Sequence, residues 1–320
     1  MALTTASLWA GLLWIKRPSW RYALILGVLL ALAVSTRVMA LPWAAACLVL
    51  LPGASLLLAR FRPAQILQMA AVAAIVVALQ APIIARNVTT YDSWQLTSQG
   101  GSHLLNWIAP LVLEARDGTP HEAGAREMYG RYLARHGDDE PNPFVRSRDM
   151  TSIARDAIGD MGTGAVVKAW VMGAAINVMS PAPILSPPVK SLPRTGFFDT
   201  PGDSKLAKVG AFLFRNDSPT YAWILLVSVI GVALVRLGQL GGIVVGFGSR
   251  TRPDSGDTTP ALRRAMLAFL LLWTAYILII NGPIASPKYR LPVEPVGVIT
   301  LAFALAAVQG WWTRRRAQSP

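Results

Sequence analysis

Long apolar runs alternate with short polar segments over the two ends of the chain. A helix needs roughly 20 apolar residues to cross a bilayer, and fewer where the bilayer is thinned or the helix packs against others. Seven runs reach or approach that length, and the first two are the shortest. They cover residues 3–15, 22–36, 39–59, 66–85, 221–237, 265–280 and 296–312. The pattern predicts an all-α polytopic membrane protein with about seven transmembrane helices.

The residues between the fourth and fifth runs have a different, amphipathic pattern. Residues 150–161 place Met150, Ile153 and Ala157 at helical spacing, and Gly162 and Gly164 are predicted to break this helix. Residues 165–179 are apolar but contain Lys168, and as a helix they would rise only about 23 Å. This length favours a helix lying at the membrane interface, with the lysine reaching the headgroups. The segment is therefore predicted to be a helical domain on the membrane surface.

The start of one helix in this segment is predicted from a capping box. Thr119-Pro120-His121-Glu122 has threonine at the N-cap, proline at the first helical position and glutamate three residues after the cap. The following Glu127 and Arg131 are spaced for an i,i+4 ion pair.

Three parts follow from these patterns. Residues 1–85 are predicted to form four membrane helices, and residues 86–218 an extracytoplasmic helical domain with an interfacial helix near 165–180. Residues 219–320 are predicted to form three membrane helices and a basic cytoplasmic tail.

Composition and charge agree with a membrane protein and argue against nucleic-acid binding. The chain is 53% hydrophobic and 15% charged with a mean hydropathy of +0.43, whereas soluble chains are about 25% charged. The net charge is +13, but residues 86–217 contain 14 basic and 14 acidic residues. The excess positive charge therefore lies in or near the apolar runs, as expected for a membrane protein whose cytoplasmic loops are rich in lysine and arginine. The single cysteine, Cys47, excludes a disulfide framework.

Basic residues collect at alternate ends of the seven runs, which predicts an orientation. Thirteen of them mark the ends that the positive-inside rule places in the cytoplasm. They are Lys16, Arg17, Arg21, Arg60, Arg62, Arg236, Arg250, Arg252, Arg263, Arg264, Arg314, Arg315 and Arg316. The long segment 86–217 and the short loop 281–294 then lie outside, in a multi-pass protein of the inner or plasma membrane. Met1 also falls outside, as expected for the carboxy-terminal part of a longer protein or for a true N-out protein.

Four short motifs occur in a fixed order along the chain. They are motif one, 27–37 (GVLLALAVSTR); motif two, 81–87 (APIIARN); motif three, 96–106 (LTSQGGSHLLN); and motif four, 286–295 (SPKYRLPVEP). In this order they resemble the carboxy-terminal half of bacterial glycosyltransferase family 39, whose members are similar to protein O-mannosyltransferases and aminoarabinose transferases and have the GT-C fold. The resemblance implies glycosyl transfer from a polyprenyl-phosphate-linked sugar donor to an extracytoplasmic acceptor of the cell envelope.

The resemblance also implies which residues would bind the lipid phosphate. Arginine suits a phosphate because its planar fork gives two charge-assisted hydrogen bonds, and cations stabilise the negative charge left when the bond breaks. Lys288, Tyr289 and Arg290 of motif four are the first candidates, followed by Arg37 and Arg86. Each has a plainer interpretation as an interfacial residue that reaches the headgroups. Pairing with Glu294 is a further alternative for Lys288 or Arg290.

The catalytic base stays unknown at this point. The family has its catalytic acidic motif in the first outer loop, but this sequence has no acid before Arg86. The remaining acids near the candidates are Asp92, Glu114, Asp117 and the run Asp138-Asp139-Glu140. The chain is then either such a transferase or an amino-terminally truncated, catalytically incomplete form.

Two other functions remain open. One is an O-antigen ligase or polymerase-like membrane enzyme, and the other is a non-catalytic membrane component. The three histidines have no metal-ligand spacing, so no metal ligand set is predicted. The cofactor is unknown, and a divalent metal stays open. The expected partners are the lipid-linked donor, the acceptor and membrane lipids.

Overall fold

A computed structural model describes residues 1–137, 139–193, 200, 202, 204–215, 219–248 and 259–318. These residues form helices and turns, with no β-strand among them. The α-helices are α1 (Ala2–Lys16), α2 (Trp20–Thr36), α3 (Leu41–Leu57), α4 (Ala64–Tyr91), α5 (Gln99–His103), α6 (Ala109–Asp117), α7 (His121–His136), α8 (Pro143–Met161), α9 (Thr163–Met179), α10 (Pro187–Lys190), α11 (Lys205–Phe214), α12 (Pro219–Gly248), α13 (Pro260–Asn281) and α14 (Glu294–Gln318). A π-helical turn, Leu104–Ile108, joins α5 to α6, and 3₁₀ helices cover Val38–Ala40, Ala182–Leu185 and Pro287–Val293.

Five helical segments of the described chain are long and apolar enough to cross a membrane. They are Val38–Leu57, Ala64–Tyr91, Pro219–Gly248, Pro260–Asn281 and Pro287–Arg316. The apolar helix α2 is shorter, and α1 has 15 residues. This is the architecture of a helical membrane protein, and the predicted fold class is confirmed to that extent.

One hydrophobic core joins α1–α4 to α13. Its largest fully buried side chains include Trp14 and Leu26. Gly27 lets α4 approach closely, because a Cβ there would lie 3.3 Å from the Cα of Val72. Inside this bundle Trp14 Nε1 bonds to a neighbouring helix rather than to lipid, donating to Gln68 Oε1 at 2.8 Å.

A second core holds α6–α9 together with the π-helical turn before them. It contains Leu105, Met128, Tyr132 and Ala154, all fully buried. The preceding helix, α5, lies against α8 at Gly101, whose N–H donates to Ser147 Oγ at 2.9 Å. A Cβ at Gly101 would lie only 1.9 Å from the Ser147 carbonyl oxygen, so this contact requires a glycine.

Three predicted details of this helical domain can be compared with the structure, and two of them are confirmed. The predicted glycine break is confirmed: the chain bends by 103° between α8 and α9 at Gly162, whose φ is +82°. The predicted Glu127–Arg131 pair is confirmed at 2.7 Å. The capping box is wrong, because the Thr119 hydroxyl donates to Asp117 Oδ1 at 2.7 Å. Helix α7 therefore begins at His121 with Pro120 as its N-cap.

Helices α12 and α14 run parallel in close contact. Gly297 packs against Gln239, and Gly242 approaches the Thr300 backbone so closely that a Cβ would lie 1.7 Å from its carbonyl oxygen. From the first pair to the second, the residue number increases by three on each helix, so the two helices run in the same direction. Arg236 of α12 therefore lies at the level where α14 begins.

This register corrects one charge assignment. Arg236 and Glu294 were placed on opposite sides of the membrane, but Arg236 Nη2 lies 2.9 Å from Glu294 Oε1. Because the two side chains are in contact, their assignment to opposite sides is wrong. The predicted span 221–237 therefore does not end at the membrane face opposite to the start of α14. The predicted cytoplasmic residues Arg250 and Arg252 lie outside the described part of the chain.

Candidate functional site

Arg37 borders a cavity of about 360 Å³ between α1, α2 and α13. The residue lies just after the end of α2 in extended backbone, with φ −150° and ψ 108°, and its side chain is exposed. The other walls are largely apolar and include Ala33, Trp273, Ile277 and Pro292. Pockets of roughly 300–1,000 Å³ hold small ligands or parts of larger ones. A single cation therefore stands at the edge of an apolar hollow.

The walls of this Arg37 cavity are held by hydrogen bonds. Trp273 Nε1 donates to the Pro292 carbonyl at 2.9 Å, which ties the Pro287–Val293 helix to α13. The Tyr276 hydroxyl donates to the Met39 carbonyl, which fixes the turn after Arg37. The rings of Trp273 and Trp43 meet edge to face with centroids 5.0 Å apart. The hollow is thus preformed rather than a gap between loose helices.

The first turn of α1 also lines the Arg37 cavity. Ala2, Leu3 and Thr4 belong to this turn. The guanidinium of Arg37 therefore favours an anion in the cavity.

The first three motifs meet at the same end of the α1–α4 bundle. Gln80, next to motif two, donates to Ser35 Oγ of motif one at 2.9 Å. Asn87 of motif two is fully buried and donates to the Gln95 carbonyl, next to motif three, at 2.7 Å. Pro292 of motif four borders the Arg37 cavity. Segments far apart in sequence are thus gathered around one region.

Arg86 lies at this end of the bundle but is directed to its own neighbour. Its Nη2 and Nε donate to Asn87 Oδ1 at 2.8 and 3.2 Å, and the side chain is otherwise exposed. One face of the guanidinium fork is therefore already used in holding Asn87.

Motif four does not present its three candidates together. Lys288 is exposed, with Nζ 5.0 Å from the ring centroid of Tyr289. Tyr289 packs on the second core. Arg290 is only 8% exposed, and its Nε lies 2.8 Å from Glu294 Oε1. The predicted alternative of an Arg290–Glu294 pair is confirmed.

Arg290 belongs to a buried polar cluster that joins three helices. Glu294 accepts from both Arg290 and Arg236, and Arg236 Nη1 also donates to Gln239 Oε1 at 2.6 Å. Both arginines donate to the carbonyl of Val178 at the end of α9, and Arg290 also to that of Ser180. Cations at a helix C-terminus are favourable because the last carbonyls there have no partner. We call Arg236, Gln239, Arg290 and Glu294 the arginine–glutamate cluster.

Asn177, the residue before Val178 on α9, holds the loop between α13 and the Pro287–Val293 helix. Its side chain is fully buried, with Nδ2 donating to the Ile284 carbonyl at 2.9 Å and Oδ1 accepting from Ser286 N at 2.7 Å. Neither Asn177 nor the role of Arg236 was predicted. The sequence signal for each was a single polar residue within an apolar run, because such a residue usually bonds to a specific partner inside the protein.

The acids considered as catalytic bases are engaged in local structure or lie at the surface. Asp117 accepts from Arg116 and Thr119, and these hydrogen bonds lower its pKa to about 2. A carboxylate with so low a pKa is a weak proton acceptor. Asp92 ends α4 in left-handed backbone, and Glu140 accepts from Asn142 N. Asp138 lies outside the described residues.

Comparison with protein-family models, curated proteins and solved structures finds no match to this chain. Among the described residues there is also no group of three or more His, Cys, Asp or Glu side chains that could hold a metal ion. The family resemblance therefore rests on the four sequence motifs.

Proposed function

We propose that this protein takes part in glycosyl transfer from a polyprenyl-phosphate-linked sugar to an extracytoplasmic acceptor, and that the Arg37 cavity binds the phosphate end of that lipid. The observation that carries the proposal is one cation beside an apolar hollow, next to which the motifs of the resemblance come together. The apolar walls suit the first isoprene units, while Arg37 suits the phosphate.

Among the five predicted phosphate ligands, Arg37 is the best placed. Its guanidinium makes no side-chain hydrogen bond or ion pair with the described residues, whereas that of Arg290 is already bonded to Glu294 and two carbonyls. Arg86 and Lys288 are exposed, but neither lines the Arg37 cavity. Tyr289 contributes through packing rather than through charge.

The proposed topology has seven spans with the helical domain on the extracytoplasmic side. Lys16 and Arg263 border one cavity, so the α1–α2 turn and the start of α13 lie at the same end of the bundle. We assign this end to the cytoplasm by the positive-inside rule, in an inner or plasma membrane. Helices α1 and α2 rise about 23 and 26 Å, somewhat less than a hydrocarbon core of about 30 Å, which implies local thinning.

Replacing Arg37 with glutamine is expected to weaken binding of a polyprenyl monophosphate by about 10- to 100-fold. Hydrogen bonds to a charged partner contribute about 1.5–3 kcal/mol, and each 1.4 kcal/mol is tenfold in affinity. Binding would be measured by native mass spectrometry of the full chain released from nanodiscs.

Arg131→Gln is the matched control, because it removes the same charge from an exposed ion pair in the helical domain. Equal retention of lipid by both variants would refute the assignment of Arg37. A parallel assay of sugar transfer distinguishes an enzyme from a non-catalytic membrane component. Lipid binding without sugar transfer would support only the non-catalytic component.

A further inference from the structure

A second cavity, of about 720 Å³, lies at the end of the α1–α4 bundle away from Arg37. It is formed by the α1–α2 turn and the α3–α4 turn, and α2 separates it from Arg37 by about 26 Å. Its polar lining includes Arg17, Ser19, Arg60, Arg62, Gln65 and Gln68. We call it the arginine cavity.

Arg60 and Arg62 bring positive charge to the arginine cavity. Both belong to the α3–α4 turn, and the sequence has no acidic residue before Asp92. No described carboxylate pairs with Arg60 or Arg62. Like charges gathered in one hollow repel each other, so a bound anion would lower the free energy of this arrangement.

Two helix N-termini add to the attraction for an anion. Ser19 and Trp20 are the N-cap and first residue of α2, and Ala64 is the first residue of α4; all three line the cavity. Tyr22 N already donates to Ser19 Oγ, and Gln65 N donates to the Arg62 carbonyl, so the contribution of these termini is mainly the positive end of each helix dipole. Here two of them converge with the arginines.

The α3–α4 turn holds its arginines in place through strained backbone. Ala59 has φ +53°, in the left-handed region that side chains other than glycine rarely adopt. Arg60 N then donates to the Ser55 carbonyl at 2.9 Å, and Gln65 Nε2 donates to the Arg60 carbonyl at 3.2 Å. Such strain persists where surrounding bonds fix it and is frequent at ligand sites.

An apolar groove of about 440 Å³ adjoins the arginine cavity. It runs between α3 and α4, its lining includes Leu48, Pro52, Leu56 and Ile66, and it shares Phe61 with the cavity. A polar anion site that continues into an apolar groove matches a phospholipid and not a free phosphate ion. Trp20 and Phe61, both exposed, are of the aromatic type that lies at headgroup level.

We propose that the arginine cavity binds the headgroup phosphate of an anionic glycerophospholipid from the leaflet at this end of the bundle, with one acyl chain in the α3–α4 groove. Basic pockets between membrane helices on the cytoplasmic side hold such headgroups. The site is distinct from the Arg37 cavity and does not depend on glycosyl transfer.

The first test uses native mass spectrometry of the full chain with added phosphatidylglycerol. The double variant Arg60→Gln/Arg62→Gln is expected to retain it at least about tenfold less well than the parent. Arg314→Gln/Arg316→Gln, which removes the same charge from the exposed last helix, should stay within about twofold. Equal losses in the two variants would show unspecific surface attraction and overturn the proposal, as would no loss in either.

The second test separates a lipid from a free phosphate. Gly53 lines the groove, and a Cβ there would meet no atom within 4 Å, so Gly53→Leu fills the groove without disturbing the fold. About fivefold weaker phosphatidylglycerol retention is expected, since roughly 1 kcal/mol of acyl contact is lost. If Gly53→Leu retains the lipid normally, or if inorganic phosphate displaces it from the parent protein at equal concentration, the lipid site is refuted.

Discussion

Glu294→Ala is expected to lower the free energy of unfolding by about 3–5 kcal/mol, because it leaves Arg236 and Arg290 inside the protein without their shared anion. The side chains of these arginines are 16% and 10% exposed, so water cannot replace the carboxylate fully. Denaturation of the full chain in detergent, followed by circular dichroism, measures the effect. The loss should appear as loosening of α12 and α14 from α9, since the arginine–glutamate cluster joins them.

Glu127→Ala is the control for this effect. It also removes a carboxylate paired with an arginine, but both side chains are about half exposed, and the expected change is within about 0.5 kcal/mol. A second control converts Arg236, Arg290 and Glu294 together to methionine, which removes the uncompensated charges and should recover much of the loss. A Glu294→Ala effect as small as that of Glu127→Ala would mean that the arginine–glutamate cluster is solvated.

Asn177→Leu is expected to destabilise the protein by about 3 kcal/mol. The substitution is close in volume, but it removes the partners of two buried backbone groups, the carbonyl of Ile284 and the N–H of Ser286. Leaving a buried polar group unpaired costs about 1–3 kcal/mol. Thermal unfolding in detergent and hydrogen exchange of the 283–290 loop would measure the loss.

Asn106→Leu tests whether the cost comes from the buried partners. Asn106 is partly exposed and donates to Ser102 Oγ on its own helix at 3.1 Å, so water can replace that bond. A change below about 1 kcal/mol is expected. If Asn106→Leu and Asn177→Leu had equal effects, the loop would not depend on Asn177.

The helices themselves were predictable from the sequence because apolar runs and glycine breaks act locally. Six of the seven apolar runs fall within α-helices of the structure, and the third, 39–59, continues two residues beyond the end of α3 at Leu57. The break at Gly162 follows from a positive φ that glycine adopts readily. The start of α7 was not predictable from spacing alone, since Asp117 competes with the backbone for the Thr119 hydroxyl. Local hydrogen-bond competition of this kind leaves no trace in the pattern.

The relative positions of helices were less predictable, and the candidate site depends on them. The shift of α12 along α14 comes from contacts at Gly242 and Gly297, which no periodicity encodes. That shift brings Arg236 to Glu294 and thereby engages Arg290, the residue first expected to bind phosphate. Arg37 was named from a motif, but the hollow beside it forms only when α1, α2 and α13 pack together.

Photo-crosslinking with a polyprenyl monophosphate that carries a diazirine on its first isoprene unit tests the central claim most directly. Peptide mapping of the full chain in nanodiscs should place the label on the walls of the Arg37 cavity, on α1, the end of α2, or α13 near Trp273 and Ile277. The label should be lost in Arg37→Gln and kept in Arg131→Gln. Labelling spread over the lipid-facing surface of α12, or labelling that Arg37→Gln leaves unchanged, would contradict the account.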